Sequence, residues 1–409
     1  MAAPTSRSTS MAKGLFMNVS AAGHVYPTFG IVRELTRRGD EITYIEAPPF
    51  QKEIGSFGAS FIPYPDIAPY PGPSSQNQFL LPAVLTWCAR EWIPKLLEPI
   101  RKLRPNYIVH DSLCLWGRIL AQRLKIPAAC STVTAGFTQK SFTQCPRLKK
   151  IRRNLYCDAH SGIKLFRKWR HEIERTWNVN KIGFVDTFTN HQPVTLVYHP
   201  PELQPYVECF DDRFHFVGPC DLTRARETDF PWNWLDERPL VLVSFGTIHD
   251  PGISFFQACA EAARGENFQM VMALGPGTGR DALPHAPDNV LIRQSGTLPQ
   301  LELLQRAQLF IMHGAGGGLR ESALHAVPML AVPQTYEQEI FSAQMCQQGV
   351  GLMHHDSEIS SDRLKISILQ ILGDPSFQKK AARLRDACQK AGGVTAAVDA
   401  IQSLLNQHR

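Results

Sequence analysis

Long hydrophobic runs are missing from this chain. The longest apolar stretches span about seven to ten residues, such as Phe79–Cys88, against the roughly 20 a membrane-spanning helix needs. The opening ten residues, MAAPTSRSTS, lack the apolar stretch of a secretory signal and read as a loose tail. Cysteine shows no pattern. Its ten residues are scattered from Cys88 to Cys388, with no CxxC pair and no Cys/His spacing suited to a metal. Reduced thiols in a cytoplasm are therefore expected rather than a disulfide framework. Charge is not strongly one-signed either: 43 Lys and Arg against 37 Asp and Glu give +6, too mild at this length to imply nucleic acid. No tandem repeat stands out.

What is present argues for packed cores: 44% of the residues are hydrophobic and 20% charged. A length of 409 residues suggests two or three domains. Short β-rich runs alternate with helical periodicity. In the first half these runs are Leu15–Val19, Ile42–Ile45, Ala59–Ile62, Tyr107–His110 and Ala128–Ser131. Between the first two, Thr28–Arg38 reads as a helix opening at Pro27 and closing at Gly39, completing a βαβ unit. The second half repeats the pattern with strands at Leu240–Phe245, Met270–Leu274, Val290–Ile292, Leu309–Met312 and Met329–Val332. Helices are expected between them, over 253–264, 299–306, 317–326, 337–348 and 361–373. Nearly continuous apolar strands are those of a parallel sheet covered on both faces.

The expected architecture is α/β, with two doubly wound parallel-sheet domains facing across a cleft. The tail is residues 1–10, the first domain 11–217, a Pro- and charge-rich linker 218–239, the second domain 240–390, and a C-terminal helix 391–409 that can pack back on the first. Such sheets bind ligands at the carboxyl ends of their strands. The proline-rich stretch 64–78 is not regular structure. Residues 147–175 carry ten Lys and Arg against three acids, which reads as a solvated helix pair or as a basic amphipathic face for an anionic acceptor or a membrane surface.

The richest stretch runs from Leu309 to Gln338. A strand ends at His313, and Gly314, Ala315, Gly316, Gly317 and Gly318 lead into a helix carrying Glu321. Glycines let backbone amides approach a ligand closely, and those amides with the helix N-terminus favour an anion, typically phosphate. The dinucleotide fingerprint fails because Leu319 stands where glycine is required, and no Gly-Lys-Ser/Thr of a P-loop is present. Further on, Glu337 and Gln338 place a carboxylate and an amide side by side after a strand, a pair suited to vicinal sugar hydroxyls. In the first half, His24 follows strand one and Asp111 ends the strand Tyr107–His110. Two parallel strands thus bring an imidazole and a carboxylate to one sheet edge, as a general base needs. His110 is expected to face the other way.

With these motifs on view, the sequence resembles the nucleotide-sugar-dependent glycosyltransferases of the GT-B fold. It is most similar to bacterial inverting members of family 1, the macrolide and flavonoid type. The resemblance covers about residues 12–405 and rests on Gly23–Pro27, Val109-His110-Asp111, Val243–Thr247, and the block from Pro299-Gln300 through His313, Glu321 and Glu337-Gln338. The segment Phe210–Pro219 is similar to the family's entry to the linker. The resemblance implies that His24 deprotonates the acceptor hydroxyl with Asp111 as its partner. It also implies that His313 and the Gly314–Gly318 amides hold the diphosphate, Glu321 the ribose, and Glu337 with Gln338 the sugar. Ser244, Gly246, Thr247, Leu298 and Gln300 would line the same donor site. Where many members place Trp beneath the base, this chain has Gly296-Thr297-Leu298.

The implied donor is a UDP-sugar or dTDP-sugar carrying a hexose, with no metal. The implied acceptor is a hydrophobic small molecule, a phenolic, polyketide or macrolide. No nucleic-acid partner and no stable membrane insertion are expected, and the chain would act as a monomer or homodimer in the cytoplasm. A non-catalytic nucleotide-sugar or natural-product binding protein, or another GT-B enzyme with a lipid-linked acceptor, are the alternatives. Trp87, Trp92, Phe137, Phe142 and Trp169 either line the acceptor pocket or fill the core.

Overall fold

The computed structural model describes all residues except 1–10, 73–79, 145–159, 221–228, 247–249, 276–277, 280–282, 356–357 and 408–409. The tail, much of the basic segment 147–175, part of the stretch 64–78, the start of the expected linker and Thr247 therefore lie wholly or partly outside the described residues.

The chain divides into two compact units. One holds the chain as far as Tyr198, Glu208–Asp221 and the residues from Val394 onward; the other holds His199–Val207 and Leu222–Gly393. In the first unit the apolar runs become β1 (Lys13–Met17), β2 (Glu41–Glu46), β3 (Ser60–Pro63), β4 (Tyr107–Asp111), β5 (Ala128–Thr132), β6 (Val194–Val197) and β7 (Phe214–Phe216). All pair in parallel in the order β3-β2-β1-β4-β5-β6-β7. The second unit holds β8 (Leu240–Ser244), β9 (Gln269–Leu274), β10 (Val290–Gln294), β11 (Ala307–Met312), β12 (Met329–Ala331) and β13 (Gly351–Met353). Their order is β10-β9-β8-β11-β12-β13, again all parallel. Both orders reverse once, between β1 and β4 and between β8 and β11. Loops leaving the carboxyl ends of those strand pairs diverge there and open a crevice.

The expected first helix is real but later and preceded by tighter turns. A short helix Ala22–Val25 and a 3-10 turn Tyr26–Thr28 lead into Phe29–Arg37. Pro27 sits in that turn, where its missing N–H costs nothing. Ile31, Val32 and Leu35 point into the core, and Gly39 closes the helix at φ +100°. Three strands escaped the sequence pattern: β6, β7 and β13. β7 and β13 have three residues each and lie at sheet edges, too short to register a period. The segment Phe210–Pro219 is thus partly strand.

A helix over Gly393–Gln407 belongs to the first unit's core. Ala397, Val398, Ile401 and Leu404 are fully buried among Val25, Phe29, Val32 and Tyr198. Gly30 permits this packing, because a Cβ there would lie 2.1 Å from the Cys220 carbonyl oxygen and 2.8 Å from Val394.

Candidate active site

In the first unit the site grows from the crossover between β1 and the helix Phe29–Arg37. Asn18, just past β1, donates from Nδ2 to the His24 carbonyl at 3.0 Å and to the Tyr44 hydroxyl at 2.6 Å. Tyr64 donates to the Asn18 carbonyl at 2.8 Å, and Thr28 Oγ1 lies 2.8 Å from the Tyr44 hydroxyl. These bonds fasten the His24 turn to β2 and β3. β4 carries Asp111 to the same edge, where its Oδ2 stands 2.7 Å from His24 Nδ1. Its other oxygen accepts from the Leu113 N–H at 2.7 Å. Asp111 is fully buried and the His24 side chain 16% exposed. Both carboxylate oxygens are committed, so the Asp111 side chain is fixed. A proton held on Nδ1 toward the carboxylate leaves the basic lone pair on Nε2. His110 turns to the other face, as the strand period requires, and bonds the Gln192 side chain at 2.8 Å. Burial pushes its pKa down to about 4, which keeps it neutral.

One residue of this edge was not found from sequence. Glu46 ends β2 and is fully buried. Its Oε1 accepts from Ser20 Oγ and from the Ala47 N–H, while Oε2 has no partner among the described residues. Burial pushes the Glu46 pKa up to about 7; the negative field of Asp111 adds to the rise, and the Ser20 and Ala47 bonds and His24 oppose it. A glutamate closing a strand has no distinctive sequence mark; only the sheet order, with β2 beside β1, brings it near the His24 crossover.

In the second unit β8 and β11 lead to Ser244, Gly246 and the His313 turn, while Leu298 and Gln300 follow β10 and Glu337 and Gln338 follow β12. Ser244 ends β8, is nearly buried, and its Oγ accepts from the Gly246 N–H at 3.5 Å. Gly246 takes φ +72° and lies against His313, whose Cε1 would be 3.7 Å from a Cβ there. His313 follows β11, is 9% exposed, and stacks on Phe245 at 5.8 Å between centroids. Gly314 takes φ +78°, and a Cβ on it would strike Ser342 Oγ at 2.1 Å. Ala315 is the N-cap of the helix Gly316–Leu324 and supplies no capping side chain. The first-turn amides are therefore left for a ligand or solvent. The glycines divide in purpose. Gly317 borders open space, whereas Gly318 packs on Met312 and Phe310, with Met312 Sδ 2.9 Å from where a Cβ would stand.

Glu321 is 6% exposed, and its Oε2 accepts from Gln300 Nε2 at 2.5 Å. Leu298 is buried next to Gln300. Gln338 is buried at the start of the helix Tyr336–Gln347, which Thr335 caps, and its Oε1 accepts from the Gln334 N–H at 2.8 Å. Its amide oxygen thus holds the turn. Glu337 is half-buried beside it. Among the described residues no group of His, Cys, Asp and Glu is arranged to hold a metal ion, and no helix is long and apolar enough to cross a membrane.

The aromatic candidates divide as well. Trp169 is 3% exposed and packs with Phe166 and Ala83. Trp87 and Trp92 donate to the carbonyls of Ala68 and Pro65 at 3.2 and 2.9 Å, and Trp92 stacks on Tyr64 at 4.5 Å. Both thus secure the proline-rich stretch to the helix Leu81–Leu103. Phe137 is half-buried, and the Phe142 side chain lies outside the described residues.

Two all-parallel α/β units, each with candidate residues beyond the carboxyl ends of its strands, are the architecture of the GT-B class of glycosyltransferases. The comparisons agree. Residues 265–400 match the family model of the erythromycin biosynthesis protein CIII-like C-terminal domain. The chain is 28% identical over 400 residues to the NDP-glycosyltransferase YjiC of Bacillus licheniformis, covering 95% of this chain and 96% of that one. It is 29% identical over 403 residues to the oleandomycin glycosyltransferase of Streptomyces antibioticus, covering 95% and 90%. A solved glycosyltransferase of kitacinnamycin superposes with TM-score 0.86 at 26% identity, over 97% of this chain and all of that one. The chain has the GT-B fold, its C-terminal domain is EryCIII-like, and it is similar along nearly its whole length to nucleotide-sugar glycosyltransferases, macrolide-modifying ones among them.

Proposed function

We propose that the protein transfers a hexose from a UDP-sugar, or a dTDP-sugar, to a hydroxyl of a hydrophobic natural product with inversion at the anomeric carbon. The observation that carries this reading is the 2.7 Å bond between His24 Nδ1 and buried Asp111. It orients the ring and stabilises the imidazolium that forms when Nε2 takes the acceptor's proton. The alkoxide attacks the anomeric carbon as the bond to the diphosphate oxygen breaks. Negative charge grows on the leaving diphosphate, and the first-turn amides of Gly316–Leu324 with His313 are suited to receive it. Glu321, braced by Gln300, takes the ribose hydroxyls; Glu337 and the Gln338 NH2 take the sugar hydroxyls. The relatives' names, an oleandomycin and a kitacinnamycin transferase among them, support an acceptor of natural-product type.

Replacing His24 by Ala tests the assignment. Transfer should fall by at least about 10²-fold while UDP affinity by calorimetry is retained. Full activity in that variant would refute the assigned base, and NMR of the product from an α-linked donor should show a β-linkage.

A further inference from the structure

The opposite edge of the first unit's sheet holds a feature that the transfer reaction does not use. Where β5 and β6 begin, a pocket of about 370 Å³ is lined by Arg118, Asn180, Lys181, His191 and Gln192, with Ile126 on its wall. It shares Gln122, Ile126 and Gln192 with a neighbouring cavity of about 820 Å³. Both volumes suit a small organic ligand. Arg118 projects from the helix Leu115–Leu124 and is half-buried. Its guanidinium has no hydrogen bond or ion pair among the described residues, nor does the ammonium of exposed Lys181. Burial holds Arg118 below its ordinary pKa, against the fields of Asp186 and Cys130. Asp186 is itself engaged, accepting from the Gly183 N–H at 2.7 Å. His191, its pKa pushed down to about 4 by burial, adds no positive charge at neutral pH. Taking a cation out of water without a counter-charge is costly, and a guanidinium fork matches an oxyanion bidentately.

We propose that this pocket binds an oxyanion, the phosphate or carboxylate group of a small molecule, between Arg118 and Lys181. The Asn180 and Gln192 amides supply further donors. Gln192 also bonds His110, whose Nδ1 lies 3.1 Å from the Asp111 carbonyl oxygen, so the pocket touches the strand that ends at Asp111.

Thermal unfolding of the full chain, titrated with inorganic phosphate or with malonate against chloride at fixed ionic strength, tests the proposal. Phosphate or malonate should raise the unfolding midpoint beyond chloride. Loss of one charge-assisted contact should weaken the apparent affinity at least about tenfold in Arg118→Gln and in Lys181→Ala. A response to phosphate alone assigns a phosphoryl ligand, and one to malonate alone a carboxylate. The exposed position of Lys181 keeps the test open if Arg118→Gln fails to fold. A midpoint that responds no more than to chloride, or that rises unchanged in both variants, overturns the proposal; the second result would place the anion at another site.

Discussion

Replacing Glu46 by Gln should leave its hydrogen bonds and remove a buried charge. The carboxamide can still accept from Ser20 and Ala47, the two groups that hold Oε1. In the folded chain Glu46 titrates near pH 7, against an ordinary value of 4.5. Below pH 4.5 both states carry the proton and ionisation costs nothing. As pH rises through that window, the unfolded chain releases the proton while the folded one retains it, so stability falls with pH. It levels off above about pH 7, when the folded chain ionises too. A separation of about 2.5 pH units corresponds to roughly 3 kcal/mol. The Gln variant should therefore match the parent near pH 4.5 and exceed it by up to about 3 kcal/mol at pH 8. Urea titrations followed by tryptophan fluorescence suit this test, since Trp87, Trp92, Trp116, Trp169 and Trp177 lie in the first unit and only Trp232 and Trp234 in the second. Stability curves that run parallel from pH 4.5 to 8, or a variant weaker at pH 8, would show that Glu46 is not a buried carboxyl of raised pKa.

Two further substitutions probe the second unit. Gly314→Ala places a side chain at φ +78° and 2.1 Å from Ser342 Oγ, and should destabilise that unit by about 2–4 kcal/mol in denaturant titration. Glu321→Ala removes the partner of Gln300 and the proposed ribose acceptor. It should raise the KM for donor by roughly 10- to 100-fold in initial-rate kinetics while kcat changes less.

The sheets were legible because strands buried on both faces cannot hide their apolar runs: ten of the thirteen strand positions follow from them. β7 and β13 did not, because three residues at an edge carry too little pattern. The turn after β11 was legible from glycine density, yet composition could not separate Gly317, which borders open space, from Gly318, which exists to let the helix sit on Met312. The approach of His24 to Asp111 followed from both ending neighbouring parallel strands. Glu46 ends a strand in the same way, but its neutral form near pH 7 is a property of burial, which only the assembled edge creates. Likewise the sequence leaves open whether Trp87 and Trp92 line a pocket or fill the core; in the fold their indole N–H groups tie down the Ala68 and Pro65 carbonyls.

The helix Gly393–Gln407 has a consequence for biosynthesis. It fills the core of the first unit but is translated after the whole of the second. A nascent chain must therefore carry an uncovered apolar groove beside Val25, Phe29 and Val32 while the second unit, Leu222–Gly393, is translated. The first unit's core can therefore close only when Val398 and Ile401 are seated.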